Sequence, residues 1–181
     1  MLIGLGLEVA GVVALALLLG PDTSGWIVAV PLVVYGLGLG LASAQLTDTV
    51  RQDIPVGISG QGSATQSTVR QIGSALGTAF AGATLSIALA AALPAALDDA
   101  GLTGPAADSL ASATRGSAGT TIPQLRVQGE RGPLGEHTGA AVDALTAGFA
   151  DAARWALLIA AVFLVLAFIG ALRLRRASRN H

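Results

Sequence analysis

Apolar residues along this chain gather into four stretches separated by polar or mixed segments. The first, Leu2 to Leu19, holds one charge, Glu8, and stops at Gly20-Pro21-Asp22, a combination that ends helices. The second runs from about Trp26 to Leu46 without a charge and ends as Asp48 and Arg51 arrive. The third, Ile72 to Leu93, follows a polar helical lead-in from about residue 58 and is closed by Pro94. The fourth, Trp155 to Leu172, is ended by Arg173. Each stretch approaches the ~20 residues that an α-helix needs to cross the hydrocarbon core. The period-2 alternation of a membrane barrel is absent. The pattern predicts an all-α integral membrane protein with four transmembrane helices: three within residues 1–93, an external segment at 94–151, and the fourth with a basic tail at 152–181.

Composition agrees. The chain is 52% hydrophobic and 12% charged, against roughly 25% charge in soluble domains. Aromatic residues make up 4%, so the apolar mass is Ala, Leu, Val, Ile and Gly, which suits helices packed closely in lipid. The lipid bilayer is therefore the first expected partner. The absence of cysteine excludes disulfides, thiolate metal sites and Cys nucleophiles. His137 and His181 lie far apart, neither with a metal-ligand partner at helical spacing, and read as solvated surface residues. No basic stripe interleaved with aromatics supports nucleic-acid binding. A cleaved signal peptide is a poor reading of the first stretch, which has no basic leader, carries Glu8, and is followed by Pro-Asp instead of a small-x-small site.

Charge placement predicts the orientation. There is no lysine, and the tail after the fourth stretch holds Arg173, Arg175, Arg176 and Arg179 without an acid. The excess of positive charge on cytoplasmic segments puts that tail inside. Counting back, both termini and the 48–57 loop are cytoplasmic, and Gly20–Gly25 and Pro94–Asp151 are external. The 94–151 segment is acidic in balance, and Trp26 and Trp155 fall at the outer ends of spans, where indole rings favour the interface. Within that segment, residues 106–113 and 138–149 have helical character, the latter leading into the fourth span. Residues 116–139, rich in Gly and containing Pro123 and Pro133, read as a flexible loop. A solvated connector is the expectation here, with a binding module as the alternative.

Several residues carry candidate roles. Gly36, Gly38 and Gly40 form a glycine run inside the second span, which admits a neighbouring helix closely or lets the helix bend. In the third helix Gly62, Gln66, Gly73 and Gly77 share one side, and Gly73-x-x-x-Gly77 is a small-xxx-small contact. From Ile58 to Leu93 that helix would measure about 54 Å, well beyond a ~30 Å core, so its first turns lie at or beyond the inner interface. Arg70 then sits near the boundary, where it can snorkel or pair with Asp48 or Asp53, with a gating role as the alternative. Glu8 is the one acid inside an apolar span, about 9 Å along the helix from Leu2. A carboxyl there is a candidate proton carrier, unless it faces a polar neighbour or lies near the inner surface. No carboxylate pair, nucleophile with base, or phosphate-cradling loop followed by Lys points to an enzyme.

The order Gly36-Leu37-Gly38-Leu39-Gly40, Ile54-Pro55, Gly60-x-Gly62-Ser63 and Val69-Arg70-Gln71-Ile72-Gly73-Ser74-Ala75-Leu76-Gly77 resembles the last third of major facilitator superfamily transporters. Specifically, it resembles the fourteen-span drug:proton antiporter branch. The resemblance covers the chain except residues 95–150. It implies the C-terminal part of a major facilitator fold in the plasma membrane, serving multidrug or small-molecule efflux. It also implies a proton gradient as coupling ion with no other cofactor, and a small-molecule substrate bound near the midplane between two helical halves. The missing N-terminal transporter helices would then be a required partner, and these spans would not be competent alone, as for a truncated or split gene product. A different class of expectation is a self-contained four-span homo-oligomer, with Glu8 as a shared carboxylate and the glycine stripes at the subunit interface.

Overall fold

In a computed structural model the described residues are 2–52, 59–132 and 134–178. Their regular structure is helical throughout: α1 (Leu2–Leu18), α2 (Gly25–Gln52), α3 (Ser59–Asp99), α4 (Pro105–Gly116), α5 (Thr121–Gln128) and α6 (Thr138–Ser178), with single 3-10 turns at Gly129–Arg131 and Gly135–His137. Three of these segments are long and apolar enough to cross a membrane: Gly25–Gln45, Gly60–Asp99 and Gly135–Arg173, with mean hydropathies of 2.1, 1.9 and 2.8. The apolar α1 has 17 residues, at the lower edge of the ~17–25 used for crossing. Large side chains such as Val30, Leu37, Leu76 and Leu166 stand exposed on α2, α3 and α6. Surfaces of that kind are rare on water-soluble monomers and ordinary against lipid.

The chain divides into two compact units. The first comprises Met1–Leu18, Ser24–Ala81 and Leu157–His181. Here α1 and α2 lie antiparallel, and the α3 and α6 segments are joined by an edge-to-face contact of Phe80 and Phe163, with ring centroids 4.8 Å apart. That geometry sets the positive edge of one ring against the negative face of the other.

The second unit comprises Leu19–Thr23 and Gly82–Ala156. Its core is built from Leu89, Leu93 and Leu97 of α3, Ala111 of α4, Leu125 of α5, and Val142 and Leu145 of α6. Two expectations are corrected in it. The third apolar helix does not stop at Pro94, because α3 runs on to Asp99. A mid-helix proline costs ~3 kcal/mol, but Leu89, Leu93 and Leu97 recur every four residues across it and are at most 2% exposed. Beyond the proline Leu97 is buried and Ala96 and Leu102 pack against the same core; at roughly 1.5–3 kcal/mol for a fully buried leucine, their burial offsets the break. Nor is residues 116–139 an open connector: α5 and the two 3-10 turns occupy most of it. Leu125 is buried in the core and Ile122 and Leu134 pack against it, so a segment of loop-like composition still contributes apolar anchors. Turns at Gly101, Gly104, Gly119 and Gly129 adopt positive φ, which glycine reaches without steric penalty.

One further helix end differs from expectation in length, and one junction is as expected. α2 continues past residue 46 to Gln52. Residues 138–149 feed into the fourth apolar stretch as one unbroken helix, α6, of 41 residues.

Candidate functional site

The most unusual side chain in the first unit is Glu8, an acid only 6% exposed on an otherwise apolar helix. Its burial follows from spacing. Gly4, Glu8, Gly11, Val12 and Ala16 are the buried positions of α1, and steps of three and four residues put them on one face. The facing stripe of α2 is Pro31, Tyr35, Gly38 and Ala42, related by the same steps.

Along this seam three glycines replace side chains that would not fit. A Cβ built on Gly4 would stand 2.6 Å from the Ala42 nitrogen and 2.8 Å from the Gly38 carbonyl oxygen. On Gly38 it would stand 2.6 Å from the Glu8 nitrogen and 3.0 Å from the Glu8 Cγ. On Gly11 it would stand 2.8 Å from the Tyr35 nitrogen and 2.9 Å from the Pro31 carbonyl oxygen. The backbones are therefore in direct contact, as in close helix pairs of membrane proteins. A short turn precedes α2, in which Gly20 N–H donates to Thr23 Oγ1 at 2.7 Å and Thr23 N–H donates to the Gly20 carbonyl at 3.2 Å.

Between these glycines the Glu8 stem lies against Gly38, and among the described residues its carboxylate has no hydrogen-bond partner. A carboxyl in an apolar seam without a fixed partner is suited to taking up and releasing a proton, or to holding a cation that enters the seam.

The other sequence candidates are placed separately. Of the glycine run in α2, Gly38 meets α1, whereas Gly36 and Gly40 have nothing within 4 Å of where a Cβ would be. The same open space surrounds Gly73 and Gly77 on α3 among the described residues, while Gly62 is half-buried. Arg70 lies exposed on α3. Of its two expected acidic partners, Asp53 lies outside the described residues, as does the side chain of Asp48. Trp26 and Trp155 are both exposed.

Gly4 and Gly11 were not singled out by the sequence pattern, although their spacing about Glu8 carried the signal. An acid flanked at i−4 and i+3 by glycine on an apolar helix marks one face for close contact. Among the described residues no group of three His, Asp or Glu side chains is placed to hold a metal ion. Comparisons with protein-family models, with curated proteins and with solved structures found no match for this chain.

Proposed function

We propose that this chain works in membrane transport, as the closing portion of a proton-coupled exporter of small molecules, with Glu8 as its proton-carrying carboxyl. The observation that carries this is the burial of the one acid of an apolar helix in the glycine seam of α1 and α2. Such acids in apolar spans commonly mark ion or proton pathways. The sequence order from Gly36 to Gly77, with Arg70 in its signature, adds the likeness to major facilitator transporters.

In this proposal α1 and the three longer apolar segments cross the membrane as four spans. Both termini are cytoplasmic, the arginine-rich tail lies inside, and residues 20–25 and 94–151 lie outside. Efflux then requires the helices that form the other half of the substrate cavity. Arg70 holds the inner boundary of α3, snorkelling to headgroups or pairing with an acid.

The test has two parts. Sequencing the DNA upstream of the coding region should find the preceding transporter spans in or near frame. An unrelated intact gene there, with stable expression of this chain alone, would count against the proposal. In vesicles carrying the complete transporter, Glu8→Gln should abolish efflux driven by a pH gradient while substrate binding persists. Unchanged gradient-driven efflux in that variant would remove Glu8 from the mechanism.

A second reading, a self-contained homo-oligomer, draws on the open glycines of α3. Cross-linking in detergent separates the two: discrete oligomers of this chain alone favour the second, and a monomer that aggregates without partner helices favours the first.

A further inference from the structure

Within the second unit, a cavity of about 150 Å³ is lined by Leu89, Ala90 and Pro94 of α3 and by Asp108, Ser112 and Arg115 of α4, with Ala111 beside them. The polar groups follow from local chemistry. Positions 108, 112 and 115 are four and three residues apart, so α4 presents a carboxylate, a hydroxyl and a guanidinium on one face. Asp108 lies in the first turn of α4 and Arg115 in the last. Opposite them, Pro94 has no N–H to offer the Ala90 carbonyl four residues earlier, which leaves that oxygen without its usual helical donor. Leu89 and Ala111 supply an apolar floor, 2% and 5% exposed.

Asp108 and Arg115 line the same cavity yet do not pair with each other, since neither has an ion pair or a side-chain hydrogen bond among the described residues. Their α-carbons are seven residues apart, about 10 Å along the helix. That is too far for an ideal direct pair, but it suits a small molecule charged at both ends.

We propose that this cavity binds a small zwitterion of the α-amino-acid class, about the size of alanine. Arg115 binds the carboxylate through its two-pronged donor face. Asp108 and the Ala90 carbonyl accept hydrogen bonds from the ammonium group, and Ser112 donates to or accepts from either end. The side chain rests on Leu89 and Ala111. Size agrees, because a cavity of ~150 Å³ holds a molecule as large as benzene, which has as many heavy atoms as alanine. This site is separate from Glu8 and does not rest on the transport proposal.

The experiment is calorimetric titration of the full chain in detergent micelles or nanodiscs with L-alanine, with acetate and methylammonium as probes of each half. L-alanine should bind saturably, and each half-probe at least tenfold more weakly. Asp108→Asn and Arg115→Gln should each weaken L-alanine binding at least tenfold. Ser112→Leu, which fills the cavity and leaves both charges in place, should abolish it. Helix content and thermal midpoint report whether each variant is folded, and all three positions are exposed enough to tolerate the change. No saturable binding by the folded wild-type chain up to ~10 mM overturns the proposal, as does binding that survives both charge variants.

Discussion

Gly38 and Glu8 are in backbone contact: a methyl group on Gly38 would fall 2.6 Å from the Glu8 nitrogen and 2.7 Å from the Gly4 carbonyl oxygen. No rotamer change relieves a clash with backbone. Gly38→Ala should therefore push α1 away from α2 and destabilise the pair by about 1–3 kcal/mol, the range for overpacking a tight contact. Gly36→Ala and Gly40→Ala, which meet open space, should be neutral or slightly stabilising because alanine favours helix. Denaturation of the three variants in mixed micelles checks this. Equal effects at all three positions would show that helix flexibility, and not the seam, governs the glycine run.

The seam makes a second prediction on its opposite side. Gly11→Ala would place a methyl 2.8 Å from the Tyr35 nitrogen, so it should be as damaging as Gly38→Ala. The double variant should lose less than the sum, since one separation of the helices relieves both clashes. A double-mutant cycle on the same denaturation measurement reads this coupling. Strict additivity would mean that the two contacts yield independently.

Much of the hairpin was legible before any tertiary contact was considered. Hydrophobic run length and the Gly20-Pro21 stop place α1 and the turn, and Glu8 is conspicuous as the acid of an apolar stretch. Which glycine of Gly36, Gly38 and Gly40 is used was not legible, because the run offers a small residue to more than one side of the helix. Only the neighbour's position selects one.

In the second unit, Leu145 is 0% exposed in the shared core of α3 to α6. Leu145→Ala should cost roughly 2–5 kcal/mol and loosen residues 100–137. Trypsin, which can cut after Arg115, Arg126 and Arg131, should cleave the variant faster than the wild-type chain. Rapid cleavage of both at the same rate would return this segment to the open connector that its composition suggests.

Gly119 has φ +88°, and a Cβ there would lie 2.7 Å from the Phe149 ring. A left-handed conformation costs an ordinary L-residue about 1–2 kcal/mol, and the ring must also shift. Gly119→Ala should thus lower the thermal midpoint measurably, while Gly116→Ala at the end of α4, with nothing within 4 Å, should leave it unchanged. Matching midpoints for the two variants would contradict the turn geometry.

The Thr114 hydroxyl is fully buried without a hydrogen-bond partner among the described residues. An unsatisfied buried polar group costs about 1–3 kcal/mol. Thr114→Val removes it and keeps the β-branched shape, and should raise stability by about 1 kcal/mol. The Thr114 carbonyl still accepts from Gly119 N–H at 2.9 Å, so the turn after α4 is untouched. A lower midpoint would mean that the hydroxyl has an unseen partner.

The amino-acid sequence by itself determined where the long apolar helices lie, since a run of ~20 apolar residues is a local property that needs no partner. It likewise marked Glu8 as the exceptional charge of α1. Tertiary structure decided three other matters. It chose Gly38 over its neighbours, carried α3 through Pro94, and folded residues 121–131 into short helical turns around Leu125. The physical reason is common to all three: propensity and composition act residue by residue, at ~1 kcal/mol for glycine and ~3 kcal/mol for proline. Burial of a stripe such as Leu89, Leu93 and Leu97 acts on several residues together, and it outweighs those local costs only once another element covers the stripe.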